Sequence, residues 1–341
     1  MKRVVPTVLA LCVSWFLAIG PATAATVVKL GHVAPPFHGQ HQGLLRFAEV
    51  VKAETGGAYE VQVFPLGQLG GERSMAEQVQ MGTLQAAAIT TAVLSNFVPE
   101  AAALDLPFLW PDRRTAYAVL DDPEFQERFF AYFPPKGFVA IGYAENEFRH
   151  LTNSKRPVRR PEDLQGLKLR LMEAPIFLDS FKALGATPVP MPFPEVYNAL
   201  QQGVIDGQDN PLLTSVLMKF TEVNRYATRT NHTLTETILV LNADFWNALP
   251  PDVQKAFRKA ARECIVRNRE VNAGLIQKLP KLGISVDEYC KQKGIEVVDL
   301  TPEERAAFRA AMRPVYEKYR PQVGGAFLDF LLAKVQAHSG K

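Results

Sequence analysis

Cysteine is scarce in this 341-residue chain, with three in all, and charge of one sign is scarcer still: 38 basic residues face 35 acidic ones, a formal net of +3. A nucleic-acid partner would call for clustered basic residues and a larger excess, so that class is set aside. Beyond the N-terminus no stretch approaches the roughly 18 uninterrupted apolar residues of a membrane span. Also missing are a G-x-S-x-G elbow, an H-E-x-x-H pair, a Walker loop and a G-x-G-x-x-G turn, and no internal repeat or low-complexity tract is present. These absences weigh against an enzyme, although a catalytic triad can be scattered along a chain. Nothing implies a cofactor.

What is present begins with an address. Lys2 and Arg3 precede an apolar run from Val4 to Ile19, then Gly20, Pro21 and Ala22-Thr23-Ala24. This is the pattern of a secretory leader, residues 1–24, cleaved near Ala24 so that the mature chain begins near Ala25 in the periplasm. Lipid anchoring through Cys12 is the rival, but Leu11 before it is bulkier than such sites usually carry. Cleavage leaves roughly 317 residues, enough for two domains with buried cores. Net charge falls to about +1. Cys264 and Cys290 remain; an oxidising compartment permits them to pair, and two separate buried thiols fit equally well.

Strand-like and helix-like segments alternate along the mature chain, as in parallel sheets with crossover helices. "TVVKLGHV" (26–33), "YEVQVF" (59–64) and "QAAAIT" (85–90) read as strands. Between them lie a helix with Leu44, Phe47, Ala48 and Val51 on one face, stopped by Gly56 and Gly57, and a second carrying Met75 and Val79. A further unit follows: the strand "GFVAIGYA" (137–144), the strand "LKLRLM", a helix with Phe177, Phe181 and Leu184, and the short helix "FPEVYNALQQG" leading to "VID". Residues 151–235 thus read as a second α/β domain inserted into the first. "LTETILVLN" is another strand, and Val253, Phe257, Ala260, Cys264, Val271 and Leu275 trace one stripe of a helix long enough to cross both domains. Thr301-Pro302-Glu303-Glu304 is a capping box opening a helical tail.

The candidate site residues are polar groups where strands end, the place where open α/β sheets bind ligands. In "DLQGLKLRLMEAP", Leu167, Leu169 and Leu171 share one face and Arg170 takes the other. A guanidinium cannot shed its charge, so Arg170 requires solvent, an internal carboxylate or a bound anion. Asn210, after "VID" and the turn "GQD", is pushed towards an extended conformation by Pro211, which equally suits a simple helix cap. Arg149 follows the apolar strand and could pair at the surface with Glu145 or Glu147. His32, His38 and His41 have a spacing that one loop could offer a metal, but no thiolate or acidic ligand adjoins them, so no metal is expected. Asn231-His232-Thr233 matches a glycosylation sequon to which no role is assigned.

The stretches "ETGGAYEVQVFPLGQLGGER", "LDLPFLW", "FRHLTNSKRPVRRPEDLQGLKLR", "GATPVPMPFPEVYNALQQGVIDGQDNPL" and "KFTEVNRYATRTNH", in that order and spacing, resemble the solute-binding proteins of tripartite ATP-independent periplasmic (TRAP) transporters. The likeness spans nearly all of the mature chain. It implies an α/β fold: a two-domain periplasmic binding protein with parallel-rich sheets, a ligand cleft between the domains and a long domain-spanning helix. The expected boundaries are 25–147 plus 236–275 for domain I and 148–235 plus 276–341 for domain II. By resemblance Arg170 is the carboxylate clamp, Arg149 assists, Asn210 and Phe193 contact the ligand, and the loops near His32 to His41, Glu72 and Thr90 to Thr91 come from the first domain. The implied partners are a small organic acid and the membrane permease subunits that receive it.

Sialate-binding members carry an asparagine in the first loop and an acid after the third strand, where this chain has Val33 and Thr90. That argues against sialic acid and leaves monocarboxylates, dicarboxylates and sugar acids open. The receptor of an ATP-driven importer is the nearer alternative, and a periplasmic α/β hydrolase the more distant one.

Overall fold

The computed structural model describes residues 24–340, so the leader, apart from Ala24, lies outside the described residues. Among the described residues, eleven strands form two sheets. They are β1 (Thr26–Gly31), β2 (Tyr59–Phe64), β3 (Ala86–Thr90), β4 (Phe138–Phe148), β5 (His150–Asn153), β6 (Lys168–Leu171), β7 (Thr187–Pro190), β8 (Gly207–Asn210), β9 (Tyr226–Arg229), β10 (Leu234–Asn242) and β11 (Glu296–Asp299). The first sheet has the order β2-β1-β3-β10-β4 and the second β11-β9-β5-β8-β6-β7.

Both sheets are mixed with parallel pairings in the majority, in keeping with the parallel-rich sheets expected. β10 runs antiparallel to β3 and β4, and β5 runs antiparallel to β8 and β9. The reason is how the chain passes between sheets. β4 hands over to β5 across the single residue Arg149, and β9 returns to β10 through residues 230–233. Two strands that leave and return side by side must run in opposite directions. A non-glycine residue in the left-handed region marks each passage, Glu147 (φ 66°) near the end of β4 and Asn231 (φ 46°) within 230–233, a conformation that bulky side chains rarely adopt. The backbone amide of Arg149 bonds the Thr233 carbonyl at 2.8 Å and ties the crossings together.

The long helix Pro251–Gln277 buries the expected stripe, with Val253, Phe257, Ala260, Cys264 and Leu275 inside and Val271 partly covered. Helix Gly39–Glu54 lies against it. Their approach is closest where side chains vanish: a Cβ on Gly39 would meet the Asn268 carbonyl oxygen at 2.3 Å, and one on Gly43 the Cys264 carbonyl oxygen at 2.6 Å. Two buried asparagines exploit that proximity. Asn268 Oδ1 accepts from the Glu145 amide (2.8 Å) while its Nδ2 donates to the Glu145 carbonyl (3.2 Å), and Asn272 Oδ1 accepts from the Gly39 amide (2.9 Å). The long helix thereby holds both the end of β4 and the start of helix Gly39–Glu54 by main-chain atoms alone.

Thr301 and Glu304 form the reciprocal capping box at the head of helix Pro302–Val323, as the sequence pattern predicts. That helix packs on Pro99–Asp105 of the first half and on helix Pro175–Ala183 of the second. Helix Gly325–His338 then docks on Arg113–Leu120, with Phe327 stacked on Phe129 at 6.0 Å. Cys264 and Cys290 are separate buried thiols.

Candidate functional site

One pocket lies where strand ends from both sheets converge. Arg170, Arg149, Asn210, Phe193, Glu72 and Thr90 all line it. Thr90 is the last residue of β3, Glu72 the first of helix Glu72–Gln80, Arg149 the link between β4 and β5, and Asn210 the last of β8. Residues more than a hundred positions apart meet here because each sits at the end of an element whose other end is packed in a core.

Arg170 has Leu167, Leu169 and Leu171 buried beside it, as the alternation predicts, yet it is itself only 2% exposed. Its Nε donates to the Met191 carbonyl at 2.9 Å and its Cζ lies 5.8 Å from the centre of the Phe193 ring. Nη1 has no hydrogen-bond partner, and among the described residues Arg170 makes no ion pair. The internal salt bridge is therefore not what holds it. Burial lowers its pKa to about 10, against the opposing pull of Asp209. An anion placed against it would meet a cation already stripped of water.

Arg149 differs. It does not pair at the surface with Glu145 or Glu147, both of which reach Arg113 instead. It is 1% exposed and grips the equally buried Asp209: Nε bonds Oδ2 at 2.6 Å, and Nη2 bonds both Oδ1 (3.1 Å) and the Asp209 carbonyl. His232 Nε2 stands 3.3 Å from Asp209 Oδ2. Burial alone would raise the Asp209 carboxyl, but Arg149 and His232 hold it well below the usual carboxylate range. Arg149 thus brings a charge that is already matched, leaving Nη1 as its one guanidinium nitrogen without a hydrogen-bond partner among the described residues.

Asn210 is not a helix cap. "GQDN" is itself strand β8 rather than a turn, and Pro211 occupies the cap position of helix Leu212–Leu217. The Asn210 Nδ2 bonds the Gln208 side-chain oxygen. Glu72 is anchored at its partner strand: Oε1 accepts from the Thr90 amide and Oε2 from the Thr90 hydroxyl, each at 2.9 Å. Burial raises its pKa, while the Thr90 bonds and Arg170 oppose the rise.

Three further groups matter here: His38 and Gln40 fall in the His32 to His41 loop that the resemblance placed at the site without naming either as a ligand contact, and Thr214 escaped the sequence reading. His38 caps helix Gly39–Glu54, its Nδ1 accepting from the Gln40 amide at 3.2 Å. That bond puts the proton of the neutral ring on Nε2, which is buried and unpartnered. Burial pushes the ring pKa down to about 4, so it is neutral at pH 7. Gln40 Nε2 and Thr214 Oγ1 are likewise buried without partners, and all three residues line the pocket. A cap position ahead of an amphipathic helix was the available signal for His38; nothing local marks Gln40 or Thr214. The neighbouring histidines are engaged elsewhere, His32 Nε2 and His41 Nδ1 lying 2.9 Å apart. Among the described residues no group of three or more metal-ligating side chains is assembled.

Near the crossings lies a set of buried acids. Burial pushes Asp105 and Glu147 up to about 8, and Glu236 well above its ordinary value; Glu145 adds to the rise of both glutamates. Arg113 stands against Glu147, and Arg269 against Glu236 with Asp121 beyond it. Such groups stay protonated in the fold but ionise near pH 4 when unfolded, so the stability they contribute is full below about pH 4 and is lost as pH rises towards 8. The buried rings of His32, His38 and His150, lowered to about 3, 4 and 3, act in the opposite sense. Their contribution is complete above about pH 6.5, the value of a free histidine. Between pH 6.5 and 8 the carboxyls therefore set the slope, about 1.4 kcal/mol per pH unit for each fully titrating group. The melting temperature is expected to fall across that interval, and less steeply in Glu236→Gln; a flat or rising wild-type profile would contradict this assignment.

The chain matches the model of the family described as bacterial extracellular solute-binding protein, family 7, over residues 30–322. A solute-binding protein of Verminephrobacter eiseniae is 39% identical over 310 residues, covering 90% of each chain. Among solved structures, a TRAP periplasmic solute-binding protein from a Polaromonas species, bound to D-erythronate, superposes with a TM-score of 0.83 at 34% identity. So does one from Sulfurospirillum deleyianum with bound succinate, at the same TM-score and identity. Each of these covers 93% of this chain and 100% of its own. A hydroxylated monocarboxylate and a dicarboxylate thus sit in two proteins to which this chain is equally similar.

Proposed function

From the premise that this chain belongs to the bacterial extracellular solute-binding protein family 7, whose members are binding proteins and not enzymes, we propose that it captures a small organic acid by its carboxylate and delivers it to a TRAP-type permease in the inner membrane. The observation that carries the reading is Arg170: a buried guanidinium with an unpartnered nitrogen, facing a pocket between two sheets. Parallel N–H donors of a guanidinium match the two oxygens of a carboxylate, which a lysine cannot do.

Arg170 is not sufficient alone. A hydrogen bond to a charged group contributes about 1.5–3 kcal/mol net, and micromolar binding needs about 8 kcal/mol. Arg149 Nη1, Asn210 and the face of Phe193 contribute the remainder, together with groups on the first-sheet side, Glu72 and Thr90. Contacts from both halves select a closed state, and the two crossings around Glu147 and Asn231 are where the halves would turn. The turning units proposed from sequence are 25–147 with 236–275 and 148–235 with 276–341, the helices Pro302–Val323 and Gly325–His338 of the second also packing on the first. In this reading the leader is removed near Ala24 and the receptor works in the periplasm.

The test is titration calorimetry of the purified protein against a panel of mono- and dicarboxylates, hydroxy acids and uronates, followed by recovery of the bound acid. At least one acid should bind at micromolar or lower concentration and be recovered chemically unchanged after long incubation. Turnover of the ligand would favour a hydrolase, and binding only of uncharged solutes would remove the carboxylate from the reading.

A further inference from the structure

The pocket carries one guanidinium without an ion pair, Arg170, one buried carboxyl group, Glu72, and a set of neutral hydrogen-bond donors, and that inventory speaks to what is attached to the ligand's carboxylate. Arg149 is already paired with Asp209. His38 Nε2, Gln40 Nε2 and Thr214 Oγ1 are buried polar atoms with no partner, and each belongs to a residue of the same pocket as Arg170. Glu72 lies on that wall too, its two oxygens each accepting one hydrogen bond from Thr90 and each still able to accept another.

Resting on the reading of the site as a carboxylate receptor, we propose that the ligand is a monocarboxylate bearing hydroxyl groups on the carbons beyond its carboxylate, and that this pocket rejects a second carboxylate. The carboxylate takes Arg170. Hydroxyl oxygens accept from His38, Gln40 and Thr214, and a hydroxyl proton is accepted by Glu72. Each of those donors otherwise remains buried and unsatisfied, a cost that a hydroxylated chain removes and an alkyl chain does not. A second carboxylate would find no cation left for it. It would lie in a water-poor space beside Glu72, where like charges repel strongly and neither can be neutralised by Arg149.

The experiment is calorimetry with D-erythronate, butyrate and succinate on the wild type, Glu72→Gln and Arg170→Met. In the wild type D-erythronate should bind at least 100-fold more tightly than succinate and at least tenfold more tightly than butyrate. Glu72→Gln should raise the affinity for succinate at least tenfold and lower that for D-erythronate, because an amide no longer repels the second carboxylate and accepts with one oxygen only. Arg170→Met should lose every acid that binds the wild type. Equal, Arg170-dependent binding of succinate and D-erythronate overturns the exclusion while leaving the carboxylate receptor standing. Absence of any Arg170-dependent binding overturns both. A Glu72→Gln protein in which succinate gains nothing overturns the role of Glu72 even where the wild-type preference is as expected.

Discussion

Arg170→Met is expected to abolish carboxylate binding, with a loss of at least 100-fold in calorimetry, while the melting temperature of the empty protein holds level or rises. Few buried charges would behave this way. A cation only 2% exposed and without an ion pair is a burden on the folded state, and its lowered pKa is the electrostatic trace of that burden. Methionine fills a similar volume on the face opposite Leu169 and Leu171 without desolvating a charge, and gives up one hydrogen bond to the Met191 carbonyl. Arg170→Lys keeps the charge but not the paired donors, so binding should weaken by at least tenfold with little change in the melting temperature. A drop of several degrees in either empty variant would mean that Arg170 is a structural tie, and the ligand reading would have to be rebuilt on another residue.

The opposite outcome is expected one strand away. Arg149→Met should destabilise the empty protein by about 3–5 kcal/mol in denaturant titration, because it strands Asp209, 0% exposed, without its guanidinium. The companion variant separates fold from site: adding Asp209→Asn removes the stranded charge and should recover most of the loss, although His232 loses its charged acceptor as well. A single variant as stable as the wild type would show that the Arg149–Asp209 pair is dispensable. The two arginines look alike in sequence, each beside a strand that ends at a cleft. Their expected effects diverge because one has a carboxylate waiting for it in the chain and the other does not.

That divergence marks the limit of what the sequence discloses. Strands with a run of alternating or apolar residues were legible to the residue or nearly so: "YEVQVF" is β2 and "LTETILVLN" is β10, and the stripe from Val253 to Leu275 is one helix of 27 residues. β5, β7, β9 and β11 were not, since "HLTN", "TPVP", "YATR" and "EVVD" are four residues each, too short for a period to be seen. The stretch 91–130 is a succession of short helices with no long amphipathic face, so its elements were not read from periodicity. Arg170 stood out because alternation placed a charge opposite three leucines. Asp209 could not be assigned to Arg149, 60 residues earlier, because only the pairing of β5 with β8 brings them together. Gln40 and Thr214 are ordinary polar residues until each is found lining one pocket with a buried polar atom that has no partner.

Asn268 and Asn272 carry a consequence for how such a receptor can change its diet. Both grip main-chain atoms of Glu145 and Gly39, so neither takes any notice of the side chains displayed next door at His38 and Gln40. The wall of the pocket is in effect a rack bolted to the long helix from behind, on which the displayed groups can be exchanged without loosening the bolts. New ligand preferences are therefore to be sought by varying positions 38, 40, 72 and 214 together, with Gly39, Gly43, Asn268 and Asn272 left untouched.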